Sequence, residues 1–260
     1  MAPGVERIDW AAPWLQPWQA LGESLAAALQ APGVPVHAAL SAAPAPVRFV
    51  PQSDLPEGQA YEQFIWDTRC VPTRDNLHDF FNGLVWLSFP RIKVQLNALQ
   101  AAQIARDGVG KSRGPARDGA TIFDENAALL VVRDSAAGQA LTAALREHRW
   151  REAFLERRAS FGPDAQVWLF GHALMEKLVA PRKAITAHTR VVVAGDEFFT
   201  LDHVARRAWI DATVARQLAA ETITTAGFTP MQALGVPGWW PEQDEAFYAD
   251  QAVFRPKRQA

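Results

Sequence analysis

Cysteine is nearly absent. Cys70 is the only one in 260 residues, so the chain alone can build neither an intramolecular disulfide nor a thiolate metal site, and a reducing compartment, the cytoplasm, is the expectation. Long apolar runs are missing as well: no stretch approaches the roughly 18 uninterrupted apolar residues of a membrane helix, and Met1 to Trp10 lacks the basic segment and apolar run of a secretory leader. Neither sign of charge is in excess, with 26 Lys and Arg against 28 Asp and Glu, which argues against a protein that coats nucleic acid. No nucleophile elbow, reactive-cysteine setting or dinucleotide-binding glycine pattern occurs. Gly108-Val-Gly-Lys-Ser112 resembles a phosphate loop only in part, because Ala105 stands where the first glycine belongs and a helix precedes it; the basic residues Arg106, Lys111, Arg113 and Arg117 could still touch phosphate, but a solvated basic loop over 107–119 is the better reading. What the chain does have is apolar mass, 49% of its residues, in a length whose single core can bury roughly three quarters of the unfolded surface.

Twenty of the first 46 residues are Ala or Pro. Residues 1–46 therefore read as an extension with one amphipathic helix, in which Trp18, Leu21, Leu25 and Leu29 recur after Pro17, followed by an Ala/Pro linker from Ala38 to Pro46. The main domain is expected over 47–255, with a basic tail at 256–260 and an extension dispensable for folding. Within it, Asp75 to Phe89 predicts a helix capped by Asp75 and apolar on every side, hence buried. Pro90 opens a second helix carrying Ile92, Leu96 and Leu99. Ala127 to Val132 predicts a strand buried on both faces, and Ser135 caps a helix running on toward Arg158. Gln166 to Phe170, a short helix from His172, and the alternating Ile185 to Val193 suggest a parallel strand, helix, strand crossover. A last long helix opens at Thr200 or Asp202, and a Pro- and Trp-rich irregular segment follows Gly227. The order predicts a helix-rich single domain, α+β or mixed α/β, around a small central sheet.

Five separated blocks, Val71-Pro-Thr-Arg-Asp-Asn-Leu-His-Asp-Phe-Phe-Asn82, Trp86 with Phe89-Pro-Arg-Ile-Lys93, Asp118-Gly-Ala-Thr-Ile-Phe-Asp-Glu-Asn126, Gly171-His-Ala-Leu-Met-Glu-Lys177 and Leu234-Gly-Val-Pro-Gly-Trp-Trp-Pro241, follow one another in order. Together they resemble an uncharacterised bacterial family known only as a domain of unknown function, number 3025. The resemblance spans roughly Val47 to Arg255 and implies no activity, cofactor or catalytic residue.

The chemistry must therefore be read from the residues. His78, Asp79 and Asn82 fall within one turn of the apolar helix. An unpaired polar group there costs on the order of 1 to 3 kcal/mol, so these side chains either anchor loops, for instance through Arg69 or Arg74, or work in a pocket. Asp124, Glu125 and Asn126 precede the apolar strand, where adjacent carboxylates can bind a hard cation, supply a general base with a raised pKa, or cap a solvated turn. His78, Asp79, Asp124 and Glu125 are thus the catalytic candidates. His172 follows a strand and opens a helix, Glu176 lies four residues on, and His188 sits on the next strand. Two histidines and a carboxylate can hold a divalent metal, zinc or iron, with positions open to water and substrate, so His172, Glu176 and His188 are the metal candidates.

Two functions from different classes fit. One is a metal-assisted or acid/base hydrolase of a small or anionic substrate. The other is a non-catalytic protein that recognises a protein or nucleic-acid partner through Arg146, Arg149, Arg151, Arg157 and Arg158 and the aromatic Trp239-Trp240 tail, although Glu147, Glu152 and Glu156 cancel much of that field. Convergence of the histidines and acids in one cleft favours the first; their dispersal into separate hydrogen bonds favours the second.

Overall fold

Val131 and its neighbours carry no polar group, and they are fully removed from solvent. A computed structural model describes residues 4–108 and 115–257, and in it Ala127–Arg133 is a central strand of a four-stranded sheet. In chain order the elements are α1 (Gln19–Ala28), α2 (Val36–Ser41), β1 (Arg48–Pro51), α3 (Tyr61–Thr68), β2 (Cys70–Thr73), α4 (Leu77–Ser88), α5 (Pro90–Asp107), α6 (Pro115–Asn126), β3 (Ala127–Arg133), α7 (Ala136–Arg146), β4 (Ala165–Leu169), α8 (His172–Lys177), β5 (Thr186–Ala194), α9 (Asp196–Thr200), α10 (His203–Ala220), β6 (Thr229–Gln232) and α11 (Glu245–Ala249). β1 and β2 pair in parallel in a small sheet of their own, and the larger sheet has the order β4-β3-β5-β6. The fold is α+β, helix-rich, around a small sheet, as composition and pattern predict.

The expected crossover is corrected. β4 and β5 do share a sheet, but β4 runs antiparallel to β3 and β3 parallel to β5, so the parallel connection is from β3 to β5 with β4 reversed on the far side. Register sets the consequence. Leu169, the last residue of β4, lies opposite Ala128 at the start of β3, so the chain leaving β4 meets the end of α6. Gly171 makes that meeting possible: its N–H donates to Ala127 O at 2.8 Å, and a Cβ there would lie 2.5 Å from the backbone at Glu125, Asn126 and Ala127.

α4 is buried on all sides, but its cap is Asn76, whose side chain accepts the Asp79 N–H. Asp75, the expected cap, instead accepts the N–H of Val36 at 2.7 Å and ties α4 to the N-terminal segment. The loop expected over 107–119 is helical from Pro115 onward, and residues 109–114, which hold most of the Gly108–Ser112 stretch together with Arg113, lie outside the described residues. The helix capped by Ser135 stops at Arg146, and after His148, at φ 53°, the chain resumes in a separate short π-helical turn, Glu152–Glu156.

The Ala/Pro-rich start folds onto the same core. It holds two helices instead of one, and the stretch read as linker begins inside α2. Trp10 packs on Phe80 and Phe81 of α4, Trp18 meets Phe89 edge-on at 5.5 Å, and Leu40 fills the space over Gly83, where a Cβ would come within 2.2 Å of its methyl group. Trp18, Leu29, Val36 and Leu40 are each at most 1% exposed. Dispensability of residues 1–46 does not fit that packing.

Candidate functional site

Five helices supply the polar cluster that gathers where β4 ends and β3 begins. α4 packs against α8, α6 against α8 and α5, and α3 against α5. Beneath them lies an aromatic floor, with Phe170 stacked on Phe123 at 4.8 Å and meeting Phe89 at 5.8 Å. Apolar walls of this kind raise the cost of any charge placed over them.

His172, the first residue of α8, is buried over this floor. Its Nε2 stands 3.1 Å from His78 Nε2 on α4 and 3.6 Å from Glu125 Oε2 in the last turn of α6. The donor atoms of His78, Glu125 and His172 all lie within 4.8 Å of one another, so these three could hold a metal ion. His78 is fixed from its other side, because Nδ1 lies 2.9 Å from Glu176 Oε2. His172 Nδ1 is buried without a hydrogen bond, and Asp124 Oδ2 is 3.9 Å away. Burial, reinforced by the charges of Lys93 and His78 and only partly opposed by Asp124, drives the His172 imidazole down to about 4. The ring is neutral at physiological pH.

Asp124 points the other way, into a buried network. Lys93 Nζ donates to Asp124 at 2.5 Å and to Asn82 Oδ1 at 2.9 Å, and Asn82 donates in turn to the Tyr61 hydroxyl at 3.2 Å. Burial pushes the Asp124 carboxyl up, but Lys93 and the histidines outweigh it and hold the group below the ordinary carboxylate range. Glu125 goes the opposite way, raised by burial and then by the Asp124 charge next to it. Two adjacent acids thus take different protonation tendencies from their surroundings.

A cavity of about 320 Å³ adjoins the cluster, lined by Tyr61, Glu62, Gln100, Arg117, Thr121, Asp124 and Glu125 among others. Glu62 accepts from Asn97 Nδ2 at 3.1 Å, and burial, then the Asp124 charge, raise its carboxyl to about 7 against the opposing pull of Lys93 and Arg117. Because the folded chain holds this proton more tightly than the unfolded one, whose value is near 4.5, the contribution to stability is complete below about pH 4.5 and is lost as pH rises through 7. Glu62→Gln should therefore change little at pH 4.5 and stabilise at pH 8 by roughly 1 to 3 kcal/mol. Denaturant melts at the two pH values check this, and equal effects at both would show that the carboxyl is not held protonated.

The candidates distribute as follows. His78, Glu125 and His172 converge, Glu176 joins through His78, and Asp124 stands behind His172. Asp79 pairs with Arg74, whose Nη2 reaches it at 2.9 Å and whose N–H donates at 2.6 Å, so it anchors the loop before α4. His188 sits on β5 opposite Ala127, its ring edge-on to Phe228 at 6.4 Å, and is not in the donor group. The donor group and the expected metal set thus share only His172. Lys93, Tyr61 and Glu62 were missed. The available signal was the polar row Lys93, Asn97 and Gln100 at helical spacing beside Ile92 and Leu96, all of them buried.

The arginine-rich stretch carries mostly internal ion pairs: Arg149 with Glu152 at 2.6 Å, Arg157 with Glu152 at 2.9 Å, and Arg151 with both Glu156 and Glu245. Trp150 is buried and gives its Nε1–H to Arg255 O. Among the described residues no helix is long and apolar enough to cross a membrane.

No curated protein and no solved structure matches the chain. A family model does, over residues 47–258, and includes His78, Glu125, His172 and Glu176; the chain belongs to the family described as "Protein of unknown function (DUF3025)".

Proposed function

We propose that the protein is a metal-assisted hydrolase of a small substrate, with His78, His172 and Glu125 as ligands of a divalent zinc or iron. One observation carries this reading: the two Nε2 atoms face each other at 3.1 Å with Glu125 Oε2 at 3.6 Å from one of them. A tetrahedral centre with legs of about 2.0–2.1 Å has ligand-to-ligand edges of about 3.3 Å, so these separations suit a shared ion. A shared ion would take the Nε2 atom of each ring, and the Nδ1 atoms are placed to leave those free: His78 Nδ1 faces Glu176 Oε2 at 2.9 Å and His172 Nδ1 faces Asp124 Oδ2 at 3.9 Å.

Glu176 would then fix the His78 ring and raise its basicity, and Asp124, held by Lys93, would do the same from farther off for His172. Three protein ligands leave room for water and substrate, and a bound divalent ion lowers the pKa of such water toward 7 and polarises a carbonyl or phosphoryl oxygen. Glu62 lines the same cavity as Glu125, with a carboxyl raised to about 7, suited to move a proton at neutral pH. The test is a screen of zinc- and iron-loaded protein on small ester, amide and phosphoester substrates. Activity should vanish on chelation and in Glu125→Gln and His172→Ala; turnover that survives both would remove the metal from the reaction.

A further inference from the structure

Four residues of α6 that line the cavity, Arg117, Thr121, Asp124 and Glu125, stand at positions i, i+4, i+7 and i+8 and so share one helix face. At 1.5 Å per residue, the Cα atoms of Arg117 and Glu125 are about 12 Å apart along the axis. Along this face the cavity wall runs from Arg117 to Glu125, the one member of the donor group that lines it. Asp124 is engaged by Lys93, and among the described residues Arg117 has no ion-pair partner. Arg117 is half-buried, so its planar fork meets an anion with part of the water already removed.

We propose that the cavity binds a small substrate that ends in a carboxylate, paired by Arg117, with several bonds between that carboxylate and the bond hydrolysed beside Glu125. The hydrolytic half rests on the metal reading above; carboxylate capture by Arg117 does not. Three features narrow the class. The volume, about 320 Å³, is at the small end of ligand pockets and suits a metabolite-sized molecule. The single guanidinium, with Glu62 and Asp124 in the same cavity, suits a monoanion better than a phosphate dianion. The axial separation of Arg117 and Glu125 favours a substrate whose anion lies several bonds from the reacting group.

Glutarate, with a carboxylate at each end, is the probe, and acetate its one-ended control. Both are titrated calorimetrically into the full chain with and without zinc. The zinc-loaded chain should bind one glutarate at least about tenfold more tightly than acetate. Arg117→Gln should abolish that advantage and leave acetate on the zinc-loaded chain unchanged, while Arg117→Lys should retain part of it, since the charge stays and the fork is lost. Equal affinities for the two probes in the zinc-loaded wild type, or a glutarate affinity indifferent to Arg117→Gln, overturns the proposal. If the chain takes no zinc but Arg117→Gln still removes saturable glutarate binding, the carboxylate site stands and the metal reading falls. If zinc binds and Arg117 makes no difference, the reverse holds.

Discussion

Lys93→Met should destabilise the protein by roughly 3 to 5 kcal/mol, the cost of removing one partner from a buried ion pair. Lys93 is 4% exposed, and its ammonium is shared between Asp124 and Asn82 and lies over the Trp86 ring at 5.2 Å. Methionine can fill the volume, but it leaves the Asp124 carboxylate without the charge that keeps it ionised. Two signatures separate this from ordinary loss of packing. Adding Asp124→Asn to Lys93→Met should recover part of the loss, because the charge left behind is gone. The loss should also shrink at low pH, where Asp124 is neutral in both states. Denaturant melts of the four chains in this cycle make the measurement. A loss below about 1 kcal/mol with no recovery in the double variant would mean that the network contributes no more than a surface pair.

Removing residues 1–46 should leave a chain that does not fold cooperatively. The matched family region starts at Val47, where the Ala/Pro bias stops, yet Trp10, Leu15, Trp18, Leu25, Leu29, Val36 and Leu40 all belong to the buried core. Truncating one large buried side chain typically costs 2 to 5 kcal/mol. Losing seven exceeds the 5 to 15 kcal/mol by which a domain is stable. The loss also uncovers Phe80, Phe81 and Phe89, so aggregation is the expected form of failure. Circular dichroism and thermal melting of a chain beginning at Val47 decide it. A cooperative transition within a few degrees of the full-length protein would show that these contacts are peripheral after all.

Much of the secondary structure was legible where one physical signal dominated. Apolar residues all round α4, the unbroken run of β3 and the Ser135 cap each admit one reading, and the structure has each element there. Strand direction was not legible. The order strand, helix, strand from Gln166 to Val193 is the same for a parallel crossover and for the observed arrangement, in which β3 lies between β4 and β5 and β4 is reversed. With β3 between β4 and β5, His188 stands opposite Ala127, a strand away from the chain leaving β4, and the acid that reaches His172 is Glu125 at the end of α6. His172 and Glu176 both lie on α8, but their spacing could not show that Glu176 would be turned to His78. His78 and His172 are 94 residues apart, and no local spacing joins them. A buried lysine is likewise invisible to hydrophobic patterning, which marks Lys93 as a break in the stripe and says nothing of Asp124, 31 residues on.

One metal ion held by His78, His172 and Glu125 is central to the proposed chemistry, and metal content measured together with chelator-dependent melting tests it most directly. Purified full-length protein, analysed elementally and then titrated with zinc, should take up one ion per chain. At a free concentration a hundred times the dissociation constant, the ion should add about 2.7 kcal/mol of stability, which for a chain of this size raises the melting temperature by roughly 5 to 10 °C. Chelation should remove that increment from the wild type, and neither His172→Ala nor Glu125→Gln should show it. Substoichiometric metal, together with identical melting of wild type in zinc and in chelator, would contradict the account and leave the three side chains to hydrogen bonding alone.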